Sequence, residues 1–237
     1  MIKSKLYFDT NEPMETEHTL SLIADYDGNE ENLFDNALDP EIPILPLRNM
    51  VLFPGIVLPV SVGRKSSLRL VKDAFKRERP LGVFCQRSPE TEDPQQKDLY
   101  EIGTAARVVR IFEMPDQTTT VILQGMQRLQ LTSIVSSRPY LTGEVVSLSE
   151  VLPKRGSREF KAIVDNCKDL AVRFIKTSED MQPDAAFAIK NISNGMFLVN
   201  FVSSNLPFDV KEKMQLLQEE SLQERATHLL SILNREV

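Results

Sequence analysis

Few residues in this sequence could carry out chemistry, and none stands in the spacing of a common catalytic motif. The histidines are His18 and His228, and the cysteines are Cys85 and Cys167. No glycine-rich turn leads to a lysine as in a phosphate-binding loop, and no G-x-G-x-x-G, G-x-S-x-G, H-E-x-x-H or C-x-x-C occurs. The sequence therefore predicts no catalytic residue, no metal site and no cofactor site in this chain.

Two weaker candidates for chemistry have simpler explanations. Cys85 and His228 could be drawn as a nucleophile and its base, but Cys85 ends an apolar strand, where a buried small side chain is expected. An acidic loop with Glu90, Glu92 and Asp93 could hold a cation. The ligand-plus-glycine spacing of a calcium loop is missing there, so a solvated loop is the simpler interpretation.

The hairpin predicted between Thr104 and Leu123 carries apolar residues where burial is hardest. Phe112, Met114 and Pro115 stand at its turn, which folding alone explains poorly. Methionine and aromatic side chains suit an adaptable binding surface. In the competing interpretation these residues fold back onto a neighbouring loop or helix. Met126 is a further candidate for this surface, although it could equally belong to the core.

Composition separates an acidic leader from a nearly neutral body. The 237 residues are 41% hydrophobic and 26% charged, and no apolar run approaches the roughly 18 residues that span a bilayer. Residues 1–41 carry eleven acids and two bases, a net charge of −9, whereas the other 196 residues carry +3. Such a leader is predicted to be flexible. Two unpatterned thiols and no signal peptide predict a cytoplasmic location without membrane association.

Residues 42–148 have the pattern of a β-rich subdomain with one helix. Leu68, Val71, Ala74 and Phe75 fall at helical spacing within Ser66–Arg79. Short apolar runs bounded by turn residues predict seven strands, Ile44–Leu47, Val57–Val62, Leu81–Cys85, Thr104–Phe112, Thr118–Leu123, Leu129–Ile134 and Leu141–Leu148. One helix among short, closely spaced strands is typical of a small, partly closed barrel or sandwich.

The pattern becomes helical after a predicted linker at 149–156. Within residues 157–237, eight apolar residues between Phe160 and Ile175 repeat at 3-4-3-4 spacing, which indicates a core-facing helix. The next helical stretch, Asp184–Val202, contains Gly195, which either bends or splits it. Capping-box spacings predict two more helices, Val210–Glu219 and Leu222–Arg235. The last helix is still amphipathic where the sequence stops, so we expect the natural protein to continue.

Several ordered segments resemble the N-terminal domain of bacterial Lon-type ATP-dependent proteases. The most specific is ILPLRNMVLFPG at 44–55 followed by VLPVSVGR at 57–64. The helix at 66–75, DLYEIGTAARV at 98–108 and VILQGMQRL at 121–129 are similar to later family segments in the same order. The likeness extends over about residues 42–236. It implies an α+β fold, with a PUA-like β-rich pseudo-barrel and one helix followed by a C-terminal helical bundle.

The residues of these segments are expected to have architectural roles. Arg48 lies in a largely apolar segment, so its guanidinium is expected to be paired, because a buried unpaired charge is costly. Gly55, Gly63, Gly103 and Gly125 stand where a turn, a bulge or a close approach of the backbone is expected. None of these roles implies a reaction.

The resemblance implies a role in recruiting proteins for degradation. Lon proteases are homo-oligomeric rings in which an ATPase module, using ATP and magnesium, unfolds substrates and a Ser-Lys dyad cuts them. The N-terminal region binds unfolded or tagged proteins, so Phe112, Met114, Pro115 and Met126 become candidate substrate-binding residues. The ATPase and protease modules are expected beyond this chain. Weak self-association through the last helix is also expected.

Two other functions are compatible with the sequence. A free-standing Lon-like domain could bind a different protein partner, although the zinc-binding, aromatic-cage domain of one such branch has no counterpart among these residues. A nucleic-acid-binding barrel is the second alternative. A net charge of +3 over residues 42–237 is a weak electrostatic footprint for nucleic acid, which is therefore not expected as the primary partner.

Overall fold

A computed structural model describes residues 38–113, 118–178 and 183–236, with the side chains of residues 183 and 184 left aside. Its first part is one sheet of six strands, β1 to β6 in chain order: Glu41–Leu47, Val57–Val62, Leu81–Cys85, Ile102–Glu113, Thr119–Ser136 and Thr142–Ser147. The order across the sheet is β2-β5-β4-β3-β1-β6, and β5 also pairs with β6. This last pairing curls the sheet into the expected pseudo-barrel. The acidic leader prediction lies outside the described residues.

Strand β5 closes the barrel because it is long enough to pair with two different strands along the same edge. Its first half pairs with β2 and its second half with β6, while β4 runs along the other side. The sequence prediction of two strands here was wrong, because the chain stays extended through Gly125. Of the roles expected for Gly125, the close approach of the backbone is the one observed. The Gly125 N–H donates to the Ile56 carbonyl at 2.8 Å, and a Cβ at Gly125 would lie 2.2 Å from the Phe53 carbonyl oxygen. Glycine is needed for this close approach of two backbones.

A helix, α1 (Lys65–Lys76), covers the inner face of β2, β4 and β5. Val71 and Ala74 are buried as the pattern predicted. Phe75 is 45% exposed, and Leu70 takes its place in the core. The side of the helix that faces the barrel therefore includes Leu70 and excludes Phe75. It is rotated by part of a turn from the apolar stripe that the sequence predicted.

Five helices follow the sheet: α2 (Arg158–Thr177), α3 (Pro183–Asn191), α4 (Gly195–Asn205), α5 (Val210–Gln218) and α6 (Leu222–Glu236). The predicted stripe of α2 faces the helical core, with Val164, Cys167, Ala171 and Ile175 buried. The helical stretch that was predicted to bend or split at Gly195 is split into two helices, α3 and α4. The Asn194 side chain accepts a hydrogen bond from Phe197 N at 2.9 Å and so begins α4.

The structure corrects one expectation about an individual residue and bears on two others. Arg48 is exposed rather than buried, because β1 ends at Leu47 and the chain bends at Arg48. A Cβ added at Gly63 would meet no atom within 4 Å, so of the expected roles a close approach is excluded, whereas Gly63 does lie in the short connection between β2 and α1. The apolar face of α6 is buried as far as Leu233, since it packs in the helical core, so the described residues do not offer it for self-association.

Candidate functional site

The predicted hairpin presents a mixed apolar and cationic face on its outer side. Phe112 lies opposite Thr120, and Arg110 lies opposite Ile122, which pairs in turn with Pro59 of β2. Because side chains alternate across a strand, these residues share one face. All are half-buried, and the Arg110 guanidinium carbon stands 5.2 Å from the centre of the Phe112 ring. The opposite face of the same strands is the one that packs on α1.

The other candidate binding residues divide between the core and the undescribed turn. Met126 is 3% exposed and packs with Ile42, Ile44 and Phe84. Of the two interpretations of Met126, this packing favours the core. Met114 and Pro115 lie outside the described residues. Phe112 is thus the one candidate that the described structure places at an accessible surface, and its role in binding remains a prediction.

A cleft of about 480 Å³ opens between the end of β1 and strand β2. Leu45, Leu47, Val60 and Val62 of the two strands line it, but they belong to the core and are at most 6% exposed. The accessible apolar side chains of its lining are the half-buried Pro46 and Met50. Three charged side chains, Arg48, Arg64 and Glu92, also line it. Its volume falls within the range of about 300–1,000 Å³ typical of ligand clefts. No sequence pattern predicted this site, because its walls come from segments that only the sheet brings together.

Arg64 is anchored on one side only. Its Nη2 donates to Gln86 Oε1 at 2.7 Å and to the Thr91 carbonyl at 3.0 Å. Its Nε is buried and has no hydrogen-bond partner among the described residues. Burial, and then the positive charge of Arg48, lowers the pKa of Arg64, whereas Asp93 and Glu92 raise it. The guanidinium retains donor capacity toward an anion.

A second arginine cluster, the joint, connects the sheet to the helices. Arg128 is fully buried and donates from Nε to Glu150 Oε1 at 2.5 Å. Its other nitrogens donate to the carbonyls of Ser149 at 2.8 Å and Leu217 at 3.2 Å. Glu150 belongs to the predicted linker, which is therefore fixed in place here rather than free.

Arg225 of α6 approaches Glu150 from the helical side. Its Nη2 lies 3.0 Å from Glu150 Oε2, and its Nη1 donates to Asn200 Oδ1 at 3.1 Å. Burial lowers the pKa of Arg225, and Glu150 opposes that shift. Asn200 in turn donates to the Pro54 carbonyl at 3.0 Å. The joint is thus a fully hydrogen-bonded structural element, which is the arrangement that buried charges require.

The geometry does not support the catalytic pair or the cation site that were considered from the sequence. Burial raises the pKa of Cys85 to about 11 and that of Cys167 to about 12, so both thiols stay protonated near neutral pH. Cys85 Sγ contacts the Gln86 carbonyl, whereas His228 Nδ1 lies 3.8 Å from Glu219. In the described ranges, no group of three or more histidine, cysteine or acidic residues could hold a metal ion. None of the described helices is long and apolar enough to cross a membrane.

Comparisons with known proteins agree on one family. Residues 41–235 match the family model of the ATP-dependent protease La (LON) substrate-binding domain. The Lon protease of Flavobacterium johnsoniae is 46% identical over 208 residues, which are 88% of this chain and 26% of that protein. The Lon protease of Parabacteroides distasonis is 48% identical over 195 residues, or 82% of this chain and 24% of that protein. The chain thus spans about a quarter of the length of these relatives.

Solved structures support the fold. The Lon N-terminal domain protein from Xanthomonas campestris superposes with a TM-score of 0.54 at 20% identity, covering 81% of this chain and 97% of that one. The N-terminal domain of Lon protease from the Mycobacterium avium complex gives a TM-score of 0.62 at 16% identity, covering 83% of this chain and all of that one. The family match, the close relatives and the shared fold together show that this chain belongs to the Lon substrate-binding domain family.

Proposed function

We propose that this chain binds unfolded or tagged proteins for an ATP-dependent Lon protease in the cytoplasm. The observation that carries the proposal is the match to the substrate-binding domain family over residues 41–235. ATP and magnesium act in a separate ATPase module, a Ser-Lys dyad cuts the substrate, and the assembled protein is a homo-oligomeric ring. Any self-association of this chain alone is weak, and nucleic acid is not its primary partner.

The outer hairpin face is the surface we assign to substrate contact. An unfolded chain exposes apolar segments, so its receptor needs accessible apolar side chains. Phe112, Ile122 and Pro59 supply them, and Arg110 adds a cation beside the Phe112 ring. In the competing interpretation Phe112 stabilises the fold. Measuring the stability of a Phe112 variant distinguishes the two interpretations.

The test replaces Phe112 with Ser and measures binding of a labelled, permanently unfolded model protein by fluorescence anisotropy. We expect affinity to fall about tenfold, because a half-buried aromatic contact contributes on the order of 1–2 kcal/mol. The melting temperature should stay within about 2 °C of the wild type. The matched control is Phe187→Ser on α3, since Phe187 is 69% exposed and lies on a different element.

Two outcomes would contradict the assignment. Unchanged affinity with an unchanged melting temperature removes the hairpin face from the binding surface. A large fall in melting temperature shows instead that Phe112 is structural. If the wild-type chain fails to bind any unfolded protein, the proposed function itself is wrong.

A further inference from the structure

The cleft between β1 and β2 lies where the barrel leaves two strand edges without a strand partner among the described residues. Strand β1 pairs with β6 only through Glu41–Pro43, whereas Ile44–Leu47 pair with β3 on the other side. Strand β2 ends the sheet order and pairs with β5 alone. The two free edges border the cleft and leave it open to an incoming chain.

Prolines make these edges poor templates for an added strand. Ile44 N–H points toward β6, donating to the Leu141 carbonyl at 2.9 Å, whereas the Leu47 carbonyl points toward β3 and accepts from Gln86 N at 2.8 Å. Backbone groups alternate along a parallel strand, so Pro46 faces the cleft and has no N–H to offer there. Pro59 likewise lacks a donor on β2. An occupant of the cleft must therefore be recognised mainly by side chains.

The charged side chains of the cleft favour an anionic occupant. Arg48 is exposed at one end, and Arg64 has a buried Nε without an acceptor among the described residues. Glu92 lines the same cleft and Asp93 is near enough to raise the pKa of Arg64. However, the hydrogen bonds of Arg64 go to Gln86 and Thr91, so no carboxylate occupies its guanidinium. A guanidinium binds a carboxylate through strong, charge-assisted hydrogen bonds.

We propose that this cleft binds an extended segment of a protein substrate in which a carboxylate side chain stands between apolar residues. The carboxylate lies between Arg48 and Arg64, and the flanking apolar side chains pack on the half-buried Pro46 and Met50. This inference rests on the proposed function. It names the feature of the substrate that the cleft, a second surface separate from the hairpin face, recognises.

The test uses the full 237-residue chain and two fluorescein-labelled peptides, Ser-Gly-Leu-Glu-Leu-Gly-Ser and its match with glutamine in place of glutamate. Fluorescence anisotropy should show about tenfold tighter binding of the glutamate peptide, the effect of one hydrogen-bonded charge pair. Arg48→Glu should abolish that preference. Arg155→Glu makes the same charge change at an exposed position outside the cleft and should leave the preference intact.

Arg64 is examined with Arg64→Lys, which keeps the charge but loses the Nε donor. We expect the preference for glutamate to fall several-fold while the melting temperature reports whether the Gln86 and Thr91 contacts still hold. If the two peptides bind wild-type protein equally, or if Arg48→Glu and Arg155→Glu have the same effect, the inference is wrong. If the chain binds an unfolded model protein but does not prefer the glutamate peptide to the glutamine peptide, this inference is wrong and the proposed function is still supported.

Discussion

Arginines occupy two contrasting places in this molecule, the joint and the cleft. In the joint, Arg128 and Arg225 are fully buried and share the Glu150 carboxylate, while backbone carbonyls and the Asn200 side-chain oxygen accept from the remaining donors. In the cleft, Arg48 is exposed and Arg64 keeps a buried donor without a described acceptor. The same side chain thus holds two parts of the fold together when its donors are used, and offers a binding site when they are not.

The largest expected effect comes from removing the charge that the joint arginines share. Glu150→Gln keeps the side-chain volume but leaves two buried guanidinium groups without a carboxylate. We expect the free energy of unfolding to fall by about 3–5 kcal/mol, the usual cost of an uncompensated buried charge. Urea unfolding followed by circular dichroism measures this loss.

The matched control for the joint is Glu113→Gln. Glu113 forms an ion pair with Lys72 at 2.7 Å, but both side chains are more than half exposed. Such a pair contributes no more than about 1 kcal/mol. Equal losses for Glu150→Gln and Glu113→Gln would mean that the joint is not the structural centre we describe.

A smaller effect is expected at Lys213, a half-buried cation whose ammonium is held by a carbonyl rather than a carboxylate. Its ammonium donates to the Ser204 carbonyl at 2.6 Å, and burial lowers its pKa to about 8 from an ordinary value of 10.5. Below pH 8 the folded state holds a charge that burial disfavours. As the pH rises from 8 toward 10.5 the folded state loses its proton before the unfolded state does, so this penalty is relieved.

Replacing Lys213 with Met should therefore remove a pH-dependent term from stability. We expect Lys213→Met to exceed the wild type in free energy of unfolding at pH 7, with the difference shrinking between pH 8 and pH 10. The slope of that difference is no more than about 1.4 kcal/mol per pH unit. Lys211→Met, at an exposed position of the same helix, is the control. A constant difference across this range would contradict the assignment.

The smallest effect on stability is expected in the cleft. Arg48→Glu should change the free energy of unfolding by less than about 0.5 kcal/mol, because an exposed side chain away from core contacts contributes little. The same variant is expected to lose the glutamate preference described above. A loss of stability comparable with that of Glu150→Gln would show that Arg48 has a structural role, and the contrast between the two arginine sites would disappear.

Local patterns predicted most of the elements. Strands β2 and β3 have the predicted bounds, and the caps Asp209 and Ser221 stand where α5 and α6 begin. These features depend on residues a few positions apart, so a short window of sequence contains their signal. The continuous course of β5 was missed because the predicted runs stop at Leu123 and resume at Leu129, whereas the strand continues through Gly125 in close approach to Phe53.

The arginines show why the rest could not be predicted. Arg48 stands in a largely apolar segment of the sequence but is exposed, and Arg128 follows a polar neighbour but is fully buried. The pairing of Arg128 depends on Glu150 and on the Leu217 carbonyl, which lie 22 and 89 positions away in the chain. The accessible position of Phe112 could be predicted because a hairpin turn is local, while the cleft was missed because β1 and β2 meet only through the complete sheet. The family segments gave a usable signal, since Pro54, Gly125 and Arg128 all lie in them and all serve the joint or its neighbourhood.

The joint also has a consequence for how the protein is made. The bond between Asn200 and the Pro54 carbonyl connects residues 146 positions apart in the chain. A ribosome adding about 5–20 residues per second needs on the order of ten seconds to supply the second partner after the first. Until α6 has also been made, the sheet of the growing chain carries Arg128 without the Arg225 side of the Glu150 network. The sheet is therefore expected to reach its final packing only after the helices that follow it have been synthesised.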